Sequence, residues 1–127
     1  MSTQSTTGAN GTGANLAQLA PAATTLTDAF TAGNPTADSV QGGIGGCQID
    51  TIVVVNSAAG ADNPVRITHA IAGAADSPKQ NLFYGTVPGN GRFQFTGPLY
   101  LAPGDKIRVY STTGTTTAFN IYGIEIP

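Results

Sequence analysis

Apolar and polar residues alternate regularly in the last third of the chain. Along 106–112, Ile107 and Val109 lie on one face and mostly polar residues lie on the other, which is the period of a half-buried β-strand. A second strand is predicted over 116–126. Gly114, in the Thr-Thr-Gly-Thr segment between them, can adopt a positive φ at no steric cost, so we predict that the two strands form an antiparallel hairpin.

The second of these strands contains a change of phase. Phe119 and Ile121 are two residues apart, and so are Ile124 and Ile126, but the two pairs are out of step. Gly123 lies between the pairs. A β-bulge at this glycine would insert one extra residue and keep both pairs facing the core.

Shorter apolar segments, separated by Gly and Pro, fill the rest of the chain. Further strands are predicted at 23–31, 47–56, 64–72, 82–87, 92–96 and 99–101. The β-branched run 52–55 predicts a strand that packs on both faces in the middle of its sheet. Segment 64–72 alternates cleanly, which places His69 and Ile71 on the inward face.

Proline and glycine also predict where the strands turn. Residues 88–91 are expected to turn one strand back into the next, and Gly97 and Pro98 to interrupt that next strand. The segment 101–105, Leu-Ala-Pro-Gly-Asp, predicts a turn in which Asp105 caps the amides that follow it.

The composition favours an all-β fold. Charged residues make up only 9% of the chain, against about 25% in a typical domain. Lys and Glu, which favour helices, are nearly missing, while 17 glycines and 8 prolines separate the apolar runs. We predict an antiparallel β-sandwich of about seven or eight strands. A jelly-roll connection is expected rather than an immunoglobulin one, because the paired Cys and the Trp of the latter are missing.

The N-terminal segment 1–23 consists mostly of Ser, Thr, Gly, Ala and Asn, with Leu16 and Leu19 as its sizeable apolar residues. In isolation it cannot bury enough surface to offset an ordering cost of about 1–2 kcal/mol per residue. Two interpretations stay open, a disordered tail and an extended arm that becomes ordered along a neighbouring subunit. We divide the chain into this arm, 1–23, and a β-sandwich domain, 24–127.

Charge and hydropathy argue against several classes of partner. The net charge is −2 and the five basic residues are scattered, whereas nucleic-acid binding needs a basic patch. No apolar run approaches the about 20 residues of a transmembrane helix, so no membrane partner is expected. The first residues lack the basic and apolar segments of a secretory signal, so export is not expected either. A surface this poor in charge is typical of a subunit that stays packed against others.

No catalytic or metal-binding pattern is recognisable in the sequence. His69 and Cys47 have no further ligands at metal-binding spacing, and no Gly-x-Ser-x-Gly elbow is present. We therefore expect no enzymatic activity and no cofactor. Cys47 is expected to be a small buried residue at the start of a strand, and His69 to be hydrogen-bonded in the core or between subunits.

Several motifs occur in an order that resembles a family of small virion proteins of tailed bacteriophages. The motifs are Ile52-Val-Val-Val-Asn-Ser57, Val65-Arg-Ile67, Leu82-Phe-Tyr84, Leu101-Ala-Pro-Gly-Asp-Lys-Ile-Arg-Val-Tyr-Ser111 and Gly123-Ile-Glu-Ile126. The resemblance covers about four fifths of the chain, from Thr24 onward. It implies a β-sandwich component of the virion, commonly a capsid decoration (cement) protein that can form homotrimers. The family has no catalytic residues to carry over.

The resemblance leads to a functional expectation. The chain would be a structural virion protein on the capsid surface, made in the cytoplasm of the bacterial host, and its partners would be further copies of itself and the major capsid protein or other virion proteins. Candidate interface residues are Leu16, Leu19, Tyr84 and Tyr110. One alternative is a tail- or fibre-associated domain that binds a receptor or glycan through its loops. Another is a small hydrolase of the cupin-like sandwich type, which would need a bound metal.

Overall fold

The computed structural model describes residues 14–33 and 46–126, and these residues form an all-β fold. Its eight strands are β1 (Ala14–Leu19), β2 (Thr27–Thr31), β3 (Cys47–Asn56), β4 (Asn63–Ala70), β5 (Asn81–Val87), β6 (Gly91–Leu101), β7 (Lys106–Ser111) and β8 (Thr117–Glu125). Two single-turn 3₁₀ helices, Ile71–Gly73 and Pro78–Gln80, lie between β4 and β5. The prediction of an all-β chain with seven or eight strands is confirmed.

The strands form two antiparallel four-stranded sheets. Sheet I has the order β1-β8-β3-β6, and sheet II has the order β2-β7-β4-β5. Among these eight strands, β4 and β5 are the only two consecutive strands in the same sheet, and every other pair of consecutive strands lies in different sheets. The two sheets enclose one hydrophobic cluster, as in a β-sandwich.

The core consists of the inward residues of both sheets. Its largest fully buried apolar side chains are Ile49, Ile52, Val54, Val65, Ile67, Val87, Leu101, Ile107, Val109, Phe119 and Ile121. In β7 the buried positions Ile107 and Val109 alternate with half-buried ones, so the predicted inward face of this strand is confirmed.

Strand β3 has the predicted bounds and lies between β8 and β6, so its central position is confirmed. Its outward side is more open than predicted. Val53 is half-buried and Val55 is 38% exposed. A continuous β-branched run therefore marks the centre of the sheet here but not burial on both faces.

The predicted hairpin of the last two strands is wrong. β7 pairs with β2 and β4 in sheet II, whereas β8 pairs with β1 and β3 in sheet I. The reason is a buried amide at the start of β4. Asn63 is 1% exposed, and its Oδ1 accepts hydrogen bonds from the backbone N–H groups of Thr112 (3.0 Å) and Thr113 (3.2 Å). Its Nδ2 donates to Thr117 Oγ1. These bonds hold the Thr-rich segment as a crossing between the sheets.

The predicted bulge in β8 is also wrong, because this strand keeps one phase throughout. Gly123 and Glu125 are buried, while Ile124 is half-buried on the opposite face. The extra residues lie in the neighbouring strands, where the registers shift between Ile49 and Thr51 of β3 and between Asn15 and Ala17 of β1. A Cβ at position 123 would collide with the carbonyl oxygen of Gln48, so the glycine allows β3 to approach closely.

Three further expectations about strand ends need correction. β4 ends at Ala70, so Ile71 turns outward and is 67% exposed. Residues 88–91 do turn the chain, but β5 and β6 lie in different sheets and form no hairpin. Strand β6 continues through Gly97 and Pro98 as one strand of 11 residues.

The first described residues extend the sandwich into the segment predicted to be an arm. Ala14–Leu19 pair with β8 at the edge of sheet I, and Leu16 and Leu19 pack against the core. Residues 1–13 lie outside the described residues, so an arm before Ala14 stays a prediction. The glycine-rich segment 34–45 lies outside them too.

Candidate functional site

The outward faces of the two sheets differ sharply in charge. On sheet II, Asp28 accepts hydrogen bonds from Lys106 Nζ (2.8 Å) and Arg108 Nε (2.9 Å). These two cations lower the pKa of Asp28. A second ion pair joins Arg66 Nη2 to Asp76 Oδ1 at 2.9 Å. We call this surface the charged face.

The segment between β4 and β5 folds over part of the charged face. Arg108 Nη1 donates to the carbonyl oxygen of Ala74 (2.7 Å), and Nη2 donates to that of Gly73 (3.1 Å). Polar groups on this face are therefore paired with one another, and part of the sheet is already covered by the chain itself.

Tyr84 and Tyr110, two of the predicted interface residues, lie in one cross-strand row on the charged face. Arg66 stands opposite both of them, between β5 and β7. Its guanidinium lies 5.7 Å from the centroid of the Tyr84 ring, which is the range of a cation–π contact. Tyr84 is 73% exposed. The structure thus brings these two tyrosines to one surface.

Leu16 and Leu19, the other two predicted interface residues, lie in β1 of sheet I. Both are half-buried and pack against the core. Leu19 stands opposite the buried Phe119. Their position indicates a role within the sandwich, and their role at an interface stays a prediction.

The outward face of sheet I is nearly free of charge. It carries Asn15, Gln18, Gln48, Thr51, Val53, Val55, Arg92, Gln94, Thr96, Tyr100, Ala118, Asn120, Tyr122 and Ile124. We call this surface the neutral face. Asp50, at the bulge of β3, accepts a hydrogen bond from Gln48 Nε2 at 3.0 Å. On the outward side of the four described strands of sheet I, the charged residues are thus Arg92 and Asp50.

Apolar and aromatic groups reach the solvent on the neutral face. Val55 is 38%, Tyr122 40% and Tyr100 55% exposed. Some polar groups of this face already bond laterally, since Gln18 Nε2 donates to Asn120 Oδ1 at 2.7 Å. A side-chain amide that is already hydrogen-bonded within the sheet loses fewer hydrogen bonds to water when another surface covers it. The face can therefore be desolvated at low cost.

His69 and Asp105 form the one histidine–carboxylate contact in the described part of the chain. His69 Nε2 lies 2.9 Å from Asp105 Oδ2. The same carboxylate accepts from the backbone N–H groups of Ala72 (2.8 Å) and Ala102 (3.1 Å). Burial alone would raise the pKa of Asp105, but these three hydrogen bonds outweigh it and lower that pKa below its usual range.

This contact joins two segments that are distant in the sequence. The predicted hydrogen-bonding role of His69 is confirmed. The cap by Asp105 differs from the prediction, because the carboxylate bonds amides at 72 and 102 and not those that follow it. It closes the turn 102–105 and ties that turn to the end of β4. With three donors already bound, little of the carboxylate is left for a metal. The described residues contain no group of three metal-ligating side chains.

Cys47 is fully buried at the start of β3, as predicted. Desolvation raises the pKa of its thiol to about 12, and the carboxylates of Glu125 and Asp105 act in the same direction. The reactive thiolate is therefore scarce at neutral pH. In the folded protein this cysteine is a core side chain.

No family model matches the chain, and no curated protein matches it. Among the described residues, no helix is long and apolar enough to span a membrane.

Proposed function

We propose that the chain is a structural virion protein of a tailed bacteriophage, a capsid decoration (cement) protein that stabilises the head by packing between subunits. The strand order supports a jelly roll. Eight strands in two sheets, with orders β1-β8-β3-β6 and β2-β7-β4-β5, are what two interlocked Greek keys would produce. Jelly rolls are frequent among viral capsid proteins, although one fold can serve many functions.

The observation that carries the proposal is the neutral face. Strand spacings of about 4.8 Å and residue spacings of about 3.3 Å give four strands a face of roughly 500 Å². A standard interface takes about 800 Å² from each partner. The neutral face is therefore large enough to form the centre of an interface, to which loops and the residues before Ala14 would add.

The chemistry of this face suits permanent contact. Burying a charge without a partner costs several kcal/mol, and the face has only Arg92 and Asp50 to desolvate. Tyrosines are enriched at the energetic centres of interfaces, and Tyr100 and Tyr122 are exposed here. The charged face, with its internal ion pairs, would remain toward solvent.

In this proposal the protein assembles as a homotrimer and then contacts the major capsid protein at the capsid surface. The arm before Ala14 would extend over a neighbouring subunit and add main-chain and apolar contacts. Each contact is modest, but repetition over a shell would stiffen it against internal pressure.

A charge placed on the neutral face tests the proposal. Val55→Asp puts a carboxylate at an exposed position of β3, so folding should persist while assembly is weakened. Thr86→Asp, at an exposed position on the opposite sheet, is the matched control. We expect the wild type and Thr86→Asp to sediment as oligomers and to bind heads that lack the protein, and Val55→Asp to do neither.

Two results would count against this function. If Val55→Asp assembles like the wild type, the neutral face is not the interface. If the wild type stays a monomer and does not bind heads, the decoration function itself is wrong.

A second candidate is a tail- or fibre-associated domain that binds a receptor or glycan. The observation in its favour is the row of Tyr84, Arg66 and Tyr110, because an exposed aromatic ring such as Tyr84 beside a cation can stack on a sugar. Binding on a glycan array that Tyr84→Ala abolishes would favour this candidate over capsid decoration.

A further inference from the structure

A cavity lies where the chain folds back between β4 and β5. Its volume is about 530 Å³, within the range of about 300–1,000 Å³ that small-molecule sites occupy. Ile71, Ala74 and Leu82 form its apolar wall. Ile71 is 67% exposed, so much of this apolar side chain is in contact with solvent.

The polar wall of the cavity offers hydrogen-bond donors. Asn81 Oδ1 accepts from Arg66 Nη2 at 3.0 Å, which leaves the Asn81 Nδ2 group as a donor. Lys79 also lines the cavity, is exposed, and takes part in no ion pair of the described residues. An ammonium and an amide donor thus stand beside an apolar wall.

The carboxylates in this region are already engaged. Asp76, in the same segment, is paired with Arg66, and this guanidinium lowers the pKa of Asp76. Asp105 is bonded to His69, which lines the cavity, and to two backbone amides. Lys79 is therefore the unpaired charge at the site. A negatively charged ligand fits it, whereas a cationic ligand would lie beside the Lys79 ammonium and be repelled by it.

Gln80 gives an independent indication that the wall is incomplete. This residue lines the cavity and is only 8% exposed. Its Nε2 donates to the Ala75 carbonyl oxygen at 2.9 Å, but its buried Oε1 has no hydrogen-bond partner in the described part of the chain. Buried acceptors without a donor are rare in native proteins. A water that enters with the ligand would supply the missing donor, because an ionised carboxylate has no donor of its own.

We propose that this cavity binds a small organic carboxylate with a short apolar chain. The carboxylate accepts hydrogen bonds from Lys79 Nζ and Asn81 Nδ2. The chain lies against Ile71, Ala74 and Leu82. This site is separate from the neutral face, so the inference does not depend on the proposed assembly.

The test follows backbone amide signals of the full-length protein by NMR during titration with hexanoate, 1-hexanol and hexylammonium. We expect hexanoate to shift signals of residues 69–82 with the lowest Kd and hexylammonium to have the least effect. Lys79→Met keeps the aliphatic stem and removes the charge. It should raise the Kd for hexanoate about tenfold, the usual effect of losing one charge-assisted hydrogen bond, and leave that for hexanol unchanged.

Two further variants complete the design. Ala74→Phe fills the cavity from an exposed position and should abolish binding of both hexanoate and hexanol. Arg92→Met removes a cation from the neutral face and should change neither the Kd for hexanoate nor the Kd for hexanol. The proposal is overturned if hexanoate binds no better than hexylammonium, if Lys79→Met leaves the Kd for hexanoate unchanged, or if Arg92→Met weakens it as much.

Discussion

Replacing Asn63 by alanine should strongly destabilise the protein. The side chain bridges the start of β4 and the crossing from β7 to β8. Its Oδ1 accepts from the N–H groups of Thr112 and Thr113, and its Nδ2 donates to Thr113 O (3.4 Å) and Thr117 Oγ1. Both Asn63 and Thr117 are buried.

The magnitude follows from these bonds. Each well-formed hydrogen bond contributes about 1 kcal/mol, and a buried group left without a partner costs about 1–3 kcal/mol. Thr112 N–H keeps a second acceptor, Pro64 O at 3.1 Å, so its loss is partial. The Thr113 N–H and the Thr117 hydroxyl lose their Asn63 contacts. We expect the free energy of unfolding to fall by about 3 kcal/mol, a large part of a typical total of about 5–15 kcal/mol.

Urea unfolding followed by far-UV circular dichroism measures this difference, at one protein concentration because assembly would add its own stability. Asn120→Ala is the matched control. Asn120 lies on the sheet surface and accepts one exposed hydrogen bond from Gln18, so its loss should cost less than about 1 kcal/mol. If the two variants unfold at the same midpoint, Asn63 does not hold the crossing.

Three shorter predictions test other contacts. The pKa of Asp105 is lowered in the folded state, so the unfolded state binds more protons and the free energy of unfolding should fall as the pH drops below about 4. Asp105→Asn should make the free energy of unfolding, measured by urea titration, less dependent on pH. An unchanged pH dependence would contradict the lowered pKa of Asp105. Cys47 should not react with a thiol reagent at about pH 8 until a denaturant opens the core, and rapid labelling of the native protein would contradict its burial. Deleting residues 1–20 removes β1 and two half-buried leucines, whereas deleting residues 1–13 leaves β1 in place. The first deletion should therefore lower the free energy of unfolding by about 3 kcal/mol relative to the second. Equal stabilities would show that β1 adds nothing to the stability of sheet I.

Strand positions were predictable from the sequence because the signal is local. Alternation and β-branched runs depend on residues a few positions apart, and β3 and β5 lie where these patterns indicate. The length of β6 was not predictable in this way, since Gly97 and Pro98 usually end a strand. The strand nevertheless passes through both, at the edge of sheet I.

Strand pairing was not predictable because its determinants are distant in sequence. The segment 112–116 suits a hairpin loop and a crossing equally well. The choice is made by Asn63, which is separated from Thr112 by 49 positions. The contact between His69 and Asp105 also joins residues that are distant in the sequence, 36 positions apart.

The candidate surfaces were only partly foreseen. Low overall charge predicted a protein with uncharged surface, but not that the charges would collect on one sheet. That segregation appears only after the outward positions of β1, β8, β3 and β6 are aligned by their register. The sequence indicates Tyr84 and Tyr110 as separate candidates. The row that they form with Arg66 is recognised only when the pairing of three strands is known.

The strand order also affects how a growing chain acquires its shape on the ribosome. β8 joins β1 to β3, and β7 joins β2 to β4, so the last two described strands to be synthesised are inner members of the two sheets. A nascent chain that lacks them leaves β1 and β2 without any partner. Since such long-range pairing is slow, an incomplete chain would have neither sheet complete. Under the proposed function, only a molecule translated through β8 would be competent to assemble.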